Sequence, residues 1–389
     1  MNNVISNNKN LFRELEEFGF SSRTTKNNED VLQFKGKRLI NFSSNDYLGL
    51  SKNKDIIATS CKWLKKYGSS LSSSRLISGN LDRIKSIEKQ ISDYNKHEES
   101  IILGNGFLLN STVIPALIGN SIGKKTKSFI FSDKSNHASI NYGCLVSRQK
   151  CFRYNHLDLN HLERNLKKIH INEKKIIISE TLFSMDGDLA DIDGLKFLSN
   201  KYNSILYLDE AHATGVCGVN GFGLSSNYKK NENEVIVGTF SKAFGSYGSY
   251  ISCSKKNHKI IVNYCGGLIY STVLPPSVLG SIFAGVKKIP KSNHLRIKIK
   301  RNYEFLLRKL KDLSYDTSDS NSHIIPIILY SHANCKKLHE YLFNNGFYAK
   351  VIRPPTVPKG KERIRLSITA TMNKKMLVNF AKKLSEFKT

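Results

Sequence analysis

One lysine, Lys242, lies in the glycine-rich sequence GTFSKAFG (238–245), directly after a predicted apolar strand at 234–237. A lysine that forms an imine must be partly desolvated, because desolvation favours the neutral amine. Thr239 and Ser241 supply hydroxyls that can reach a phosphate, and the glycines let a flat ring approach the backbone closely. Alone, the segment also fits an ordinary surface lysine on a glycine-rich loop.

Three further side chains follow predicted strands. Asp209, in LYLDEAHATG, can pair with the protonated nitrogen of a pyridine ring and keep that ring an electron sink. His212 can reach a phenolic oxygen of the same ring or orient Asp209. His137, in FSDKSNHASI, can stack on the ring and contact a substrate carboxylate. Each of these residues, taken singly, is more often structural.

Two turns complete the set. In ILGNGFLLN a strand ends near Gly106 and a helix begins, and amides at a helix N-terminus bind phosphate. Phe107 can pack against a ring there. In ISETLFSMDGDLADI, Ser184 follows a strand and can hydrogen-bond near a cofactor, while 186–188 predict a turn. The spacing of a calcium-binding loop is missing from this segment.

Elements of the α/β class position these residues. Helical stretches alternate with short apolar strands at 101–103, 128–131, 175–178, 205–208 and 234–237. This pattern predicts a mostly parallel sheet with helices on both faces, in which active groups gather beyond the carboxyl ends of the strands. The combined set predicts a pyridoxal 5'-phosphate enzyme that performs carbanion chemistry on an amino acid.

The chain divides into three predicted regions: an N-terminal segment (1–45), a large cofactor-binding domain (46–275) and a small α+β C-terminal domain (276–389). The first region contains a predicted helix at 11–18 and a hairpin around residues 35–37. The third contains helices in the 280s and at 295–313, 333–345 and 374–387, and strands at 323–329, 349–352 and 363–367.

At this point the sequence resembles the α-oxoamine synthases, pyridoxal-phosphate enzymes of fold type I. The resemblance runs from about Asn41 to the end, through NFSSNDYLGL (41–50), SRLISGN (74–80), the motifs above and IYSTVLPP (269–276). It implies that Lys242 holds the cofactor as a Schiff base, that Asp209 pairs with the pyridine nitrogen and that His137 stacks on the ring.

The resemblance assigns further binding roles. It implies cofactor contacts from Gly106, Phe107, Ser184, His212 and Thr239, with Thr272 reaching the phosphate across a homodimer interface whose active sites are shared. It implies substrate contacts from Arg353 and Thr356, together with His137 and, from the N-terminal segment, Arg23.

The stretch VIRPPTVPKGKERIRLSITA (351–370) is most similar to members that form 8-amino-7-oxononanoate in biotin synthesis. These join L-alanine to a pimeloyl thioester and release CO2, and the sequence leaves open whether the carrier is coenzyme A or acyl carrier protein. A glycine C-acetyltransferase, a 5-aminolevulinate synthase or a serine palmitoyltransferase-like enzyme is the alternative, since all share the cofactor residues. Departures from the family pattern at Ile84, Ser249 and Thr371 bear on substrate geometry and rate.

The composition of the chain disfavours several other classes of protein. The net charge is +28, but the lysines are spread along the chain without an arginine-rich arm, so nucleic-acid binding is a remote alternative. The seven cysteines are scattered without a CxxC pair, which disfavours a zinc site or a disulfide framework. Without an apolar leader or a membrane-length apolar run, we expect a cytoplasmic protein that needs no metal and contacts no membrane.

Overall fold

The computed structural model describes residues 22–24, 30–119 and 127–387. The helix predicted at 11–18 lies outside these residues. The strands, in chain order, are β1 (Ser22–Thr24), β2 (Val31–Phe34), β3 (Lys37–Asn41), β4 (Glu99–Leu103), β5 (Ser128–Asp133), β6 (Lys150–Tyr154), β7 (Lys174–Glu180), β8 (Ile205–Asp209), β9 (Glu234–Thr239), β10 (Ser249–Cys253), β11 (Ile324–Ile328), β12 (Phe347–Tyr348), β13 (Val351–Ile352) and β14 (Arg363–Ser367).

The helices are α1 (Lys54–Tyr67), α2 (Asp82–Asn95), α3 (Gly106–Ile118), α4 (Ala138–Val146), α5 (Leu159–Leu166), α6 (Ile192–Lys201), α7 (Lys255–Tyr264), α8 (Gly266–Ile269), α9 (Pro276–Lys288), α10 (Asn293–Asp312), α11 (His332–Asn344) and α12 (Lys374–Glu386). Among the helices that the structure describes, none is both long enough and apolar enough to span a lipid bilayer.

The central sheet has seven strands in the order β4-β10-β9-β8-β7-β5-β6. Strands β9, β8, β7, β5 and β6 run parallel to one another, and β10 is antiparallel to both β4 and β9. The predicted α/β class and the five predicted strands are confirmed. The prediction missed β6 and β10, which lie at or near the edges of the sheet.

Helices cover both faces of this sheet because its strands alternate their side chains. Ile176 and Ile178 of β7 pack on one face with α3, α4 and α7. Ile177 points to the opposite face, where α5 and α6 pack. Strands buried on both faces need continuous apolar runs, which explains the IIIS pattern of β7.

The C-terminal elements form a second core around a three-stranded antiparallel sheet, β11-β14-β13, with α10, α11 and α12. Strand β3 of the N-terminal hairpin pairs in parallel with β12, so the hairpin joins this core. Helix α9 packs instead on α1, where Gly280 lets the backbone approach Trp63: a Cβ at Gly280 would lie 2.7 Å from the indole. The predicted division of the chain into regions 1–45, 46–275 and 276–389 stays a prediction. The pairing of β3 with β12 and the packing of α9 on α1 both cross its boundaries.

Candidate active site

The register of the central sheet brings the predicted motifs to one edge. Glu180 of β7 is paired with Asp209 of β8, and Asp209 is paired with Val237 of β9. Further along, Thr239 at the end of β9 is paired with Ser249, which is paired with Leu103 at the end of β4. The carboxyl ends of β4, β7, β8 and β9, with the start of β10 between β4 and β9, therefore form one continuous rim, as open α/β sheets use for ligand binding.

Asp209 is buried, and two donors fix its carboxylate. The amide nitrogen of Asn110 donates to Oδ2 at 2.8 Å, and the backbone amide of Ala211 donates to Oδ1 at 2.9 Å. Asn110 is itself held, since the Tyr207 hydroxyl donates to its Oδ1 at 2.6 Å. A buried carboxylate with two fixed donors keeps a defined orientation, which suits a partner for a protonated ring nitrogen.

Lys242 is partly buried in the loop between β9 and β10. The loop turns at Gly245, whose φ of +61° and close approach to Ser51 leave no room for a side chain. Burial lowers the pKa of Lys242 to about 8, although the nearby carboxylates of Asp209 and Glu180 oppose that shift. A pKa of about 8 makes the neutral amine far more abundant near pH 7 than it is for an ordinary lysine, which suits a nucleophilic lysine.

Glu180 ties two site segments together. Its Oε1 accepts a hydrogen bond of 2.6 Å from the backbone amide of His137, and its Oε2 accepts one of 3.3 Å from the amide of Ser184. Burial and the neighbouring Asp209 raise the pKa of Glu180 to about 8. The sequence placed Glu180 at the end of a strand but assigned it no site role.

His137 caps the N-terminus of α4. Its Nδ1 accepts a hydrogen bond from the Ser139 amide at 3.2 Å and lies 2.7 Å from the Ser139 hydroxyl. These contacts hold one edge of the imidazole, while the ring itself is exposed. The cap fixes the direction of the ring because the helix begins at the next residue.

His212 belongs to a chain of buried polar groups that reaches the C-terminal elements. Its Nδ1 lies 2.6 Å from the Tyr47 hydroxyl, and Nη2 of Arg365 donates to the same hydroxyl at 3.4 Å. Arg365 also donates from Nε to the carbonyl of Ser184 at 2.5 Å. Burial lowers the pKa of His212 well below its usual range, which favours a neutral ring.

The predicted phosphate turn begins α3. Asn105 caps the helix by accepting from the Leu108 amide at 2.8 Å, which leaves the amides of Gly106 and Phe107 outside the capping bond. Thr239 donates its hydroxyl proton to the carbonyl of Gly248 at 2.9 Å and accepts from the Ser241 amide. The aromatic ring of Phe107 is half exposed beside Tyr142, at a centroid distance of 5.5 Å.

The other predicted residues lie on different segments of the chain. Thr272 is exposed and forms a β-bridge with Ser74. Arg353 and Thr356 form a turn in which the Thr356 amide donates to the Arg353 carbonyl at 3.0 Å. Arg23 lies in β1, paired with Leu32, and its side chain is outside the described part of the structure.

Two comparisons of sequence identify the family. A family model described as aminotransferase class I and II matches residues 37–384. A relative from Paramagnetospirillum magneticum, provisionally named 8-amino-7-oxononanoate synthase, is 40% identical over 337 residues, which cover 86% of this chain and 85% of the relative. The 8-amino-7-oxononanoate synthase of Gluconacetobacter diazotrophicus is 35% identical, with 89% and 87% covered.

The chain belongs to the aminotransferase class I and II family and, within it, to the α-oxoamine synthases.

Solved structures agree on the fold. A Sphingomonas wittichii serine palmitoyltransferase matches with a TM-score of 0.89 at 24% identity, covering 99% of this chain and 95% of that one. The 8-amino-7-oxononanoate synthase of Francisella tularensis matches with a TM-score of 0.77 at 24% identity, covering 90% and 97%. At this identity the matches establish fold type I, and they do not separate one α-oxoamine synthase from another.

The departures from the α-oxoamine synthase pattern have distinct surroundings. Ile84 is fully buried in the core between α1, α2 and α9. The Thr371 hydroxyl lies 2.6 Å from that of Thr369. The hydroxyl of Ser249, where glycine or alanine is usual, is buried without a hydrogen-bond partner in the described structure. An unpaired buried hydroxyl costs about 1–3 kcal/mol.

Sequence reasoning missed three residues that this α-oxoamine synthase uses to organise the rim: Asn110, Tyr47 and Arg365. Asn110 and Tyr47 stand inside the motifs ILGNGFLLN and NFSSNDYLGL, and Asn110 lies one helical turn after Gly106, on the same face of α3. That spacing was a usable signal. Within the described residues, no group of His, Cys, Asp and Glu side chains is arranged to hold a metal ion.

Proposed function

We propose that this protein catalyses the decarboxylative condensation of L-alanine with a pimeloyl thioester. The products are 8-amino-7-oxononanoate, CO2 and the free thiol of the carrier, which is coenzyme A or acyl carrier protein. The observation that carries the proposal is the 35–40% identity to 8-amino-7-oxononanoate synthases over 86–89% of the chain. The intact lysine, carboxylate and histidine set at the rim supports a working enzyme.

The residues at the rim fit pyridoxal 5'-phosphate. Asp209 would hold the protonated ring nitrogen, His137 would lie on the ring face, and the amides of Gly106 and Phe107 would take the phosphate. Ser184, His212 and Thr239 complete the predicted contacts. When bound, the cofactor supplies an electron sink that stabilises negative charge at the α-carbon of the amino acid. The fit rests on the buried, doubly fixed carboxylate of Asp209 and the lysine beside it.

Lys242 has two tasks in this proposal. Its neutral amine, which a pKa of about 8 allows near physiological pH, would hold the cofactor as a Schiff base. The free amine of Lys242 would also take the α-proton of the bound amino acid. The carboxylates of Asp209 and Glu180 favour the ammonium form of Lys242 that this proton transfer produces.

The substrate carboxylate requires a fixed cation, and Arg365 meets that need. Arg365 is buried, and its hydrogen-bond partners in the described structure are all neutral: Ser184, Asn45, Ser367 and Tyr47. A buried guanidinium without a carboxylate partner in the described structure is poised for an anion. We assign Arg365 to the alanine carboxylate. Arg353, Thr356 and Arg23 stay predictions for the substrate carboxylate or nearby groups, and with Arg365 on alanine we assign them to the pimeloyl end.

A homodimer with shared active sites belongs to the same proposal. Large apolar side chains are exposed on either side of the Ser74–Thr272 bridge: Ile77 is 82% exposed and Tyr270 is 85% exposed. Apolar patches of this kind mark protein interfaces. The resemblance to the α-oxoamine synthases implies that Thr272 of such a second copy reaches the cofactor phosphate. We place the dimer in the cytoplasm, without nucleic-acid or membrane contacts.

The test is a substrate matrix. The purified protein with pyridoxal phosphate is given L-alanine, glycine or L-serine, each with pimeloyl-CoA, pimeloyl-acyl carrier protein, acetyl-CoA, succinyl-CoA or palmitoyl-CoA, and the products are measured by mass spectrometry. We expect turnover with L-alanine and a pimeloyl thioester. Turnover with glycine or L-serine and another thioester, and none with the predicted pair, would assign the protein to a different α-oxoamine synthase activity.

A further inference from the structure

An imidazole outside the rim links two carboxylates on separate segments. Nδ1 of His156 lies 2.9 Å from Oδ1 of Asp133, and its Nε2 lies 2.8 Å from Oδ2 of Asp188. Both aspartates are buried, and His156 packs edge-on against the ring of Phe183 at a centroid distance of 4.4 Å. When both ring nitrogens carry protons, each donates to one carboxylate, so the ring bridges the two segments.

Each end of this bridge leads directly to a site residue. Asp133 ends β5 and begins the short loop that reaches His137, and it also accepts from the amides of Ser135 and Leu157 at 2.8 and 2.9 Å. Asp188 closes a tight turn in which its carbonyl accepts from the Phe183 amide at 3.0 Å. Ser184 follows Phe183 in that turn. The bridge therefore holds the loop of His137 and the turn of Ser184 at a fixed separation.

Glu180 joins the same two segments on the side that faces Lys242. Its carboxylate accepts from the amides of His137 and Ser184, so the two segments are tied twice. The Glu180 tie is a single carboxylate with two donors, and one of those hydrogen bonds is long at 3.3 Å. The His156 bridge is a second link, and it restricts the motion between the His137 loop and the Ser184 turn that the Glu180 hydrogen bonds alone would allow.

We propose that His156 is a positioning residue of the active site, which sets the separation of His137 and Ser184 by bridging Asp133 and Asp188. The inference rests on the proposed function for the roles of His137 and Ser184, and His156 touches neither residue. Substitution of His156 should release the Ser184 turn from the His137 loop while β5, β7 and their pairing remain.

The first test needs no cofactor. In the cofactor-free protein, His156→Gln should speed hydrogen exchange of the amides of His137 and Ser184 by about tenfold or more, since those amides then open locally. The matched control is His332→Gln, an exposed histidine at the start of α11, which should leave this exchange unchanged. Equal exchange in His156→Gln and the wild type would overturn the proposal.

The second test uses the loaded enzyme well below its melting temperature. His156→Gln should lower kcat by about tenfold and shift the absorption of bound pyridoxal phosphate, as small displacements of catalytic groups do. Asp188→Asn should reproduce both effects, and His156→Arg, which keeps a forked cation able to bridge two carboxylates, should restore part of the rate. A lower melting temperature with unchanged kcat, KM and spectrum would show a merely structural role and overturn the proposal.

The two proposals fail separately. A wild-type protein that binds no pyridoxal phosphate contradicts the proposed function. The hydrogen-exchange result still decides the role of His156, because that test uses the cofactor-free protein. If the wild type turns over a different amino acid and thioester, the kinetic comparison is made with that pair. If His156→Gln does not fold, Asp188→Asn carries the same comparison.

Discussion

The side-chain amide of Asn110 donates a hydrogen bond of 2.8 Å to the carboxylate of Asp209, and the Tyr207 hydroxyl fixes Asn110 from behind at 2.6 Å. Helix α3, which begins at the phosphate turn, thereby orients the carboxylate at the end of β8. The acid that would hold the ring nitrogen and the turn that would hold the phosphate are positioned by the same helix.

Asn110→Ala should therefore weaken cofactor binding. Losing a hydrogen bond to a buried charged group costs about 1.5–3 kcal/mol, which corresponds to a tenfold to hundredfold higher Kd for pyridoxal phosphate. Tyr207→Phe removes only the second link and should have a smaller effect in the same direction. Equilibrium titration of the cofactor measures both. An unchanged Kd for Asn110→Ala would show that Asp209 does not depend on Asn110.

Arg365→Lys should raise the KM for L-alanine by about tenfold or more, because a lysine cannot reproduce the fork that a carboxylate prefers. Arg353→Lys is the matched comparison, since the sequence predicted Arg353 as the residue that contacts the substrate. We expect Arg353→Lys to change the KM for the pimeloyl thioester more than that for L-alanine. The reverse pattern in steady-state kinetics would exchange the two assignments.

Capture of pyridoxal phosphate should depend on the protonation of Lys242. The pKa of this amine is lowered to about 8, so the rate of capture by the cofactor-free protein should rise as the pH rises through about 8. Glu180→Gln removes a carboxylate that favours the ammonium form, and the midpoint should move to lower pH. Glu340→Gln, at an exposed position of α11, is the control. A pH-independent rate in stopped-flow absorbance would contradict this role for Lys242.

His156 should make stability depend on pH. Hydrogen bonds to Asp133 and Asp188 outweigh burial and raise the pKa of His156 from 6.5 to about 10. The bridge therefore contributes its full stability below the unfolded pKa of 6.5 and loses it as the pH rises through about 10. Chemical denaturation should show wild type more stable than His156→Gln by about 2–4 kcal/mol near pH 6, and by much less above pH 10. A pH-independent difference would mean that His156 is not charged in the folded protein.

The sequence predicted most of the rim because its residues follow strands with continuous apolar runs. Lys242, Asp209 and His137 each stand just after such a strand, so the parallel arrangement alone brings them to one edge. The hairpin around Lys35 and Gly36 was predicted for the same local reason, since β2 and β3 pair on either side of it. Local pattern was sufficient wherever chain neighbours determine the geometry.

Features that depend on contacts between distant parts of the chain could not be predicted from the sequence. Strand β6 reads KCFRY, is largely exposed and lacks an apolar run, whereas β10 is recognisable mainly from its antiparallel pairing with β4 and β9. Arg365 stands in RIRLS, which reads as an alternating half-exposed strand, yet its side chain is buried against Ser184, 181 positions earlier. Only the packing of the C-terminal sheet on the rim reveals that contact.

Chemical trapping of the cofactor on its lysine tests the Schiff base at Lys242. The holoenzyme is reduced with borohydride, digested and analysed by tandem mass spectrometry. We predict a phosphopyridoxyl group on Lys242 alone, and none in Lys242→Ala, which should also lose turnover. A phosphopyridoxyl group on another lysine of the wild type, or no adduct on a catalytically active protein, would contradict a Schiff base at Lys242.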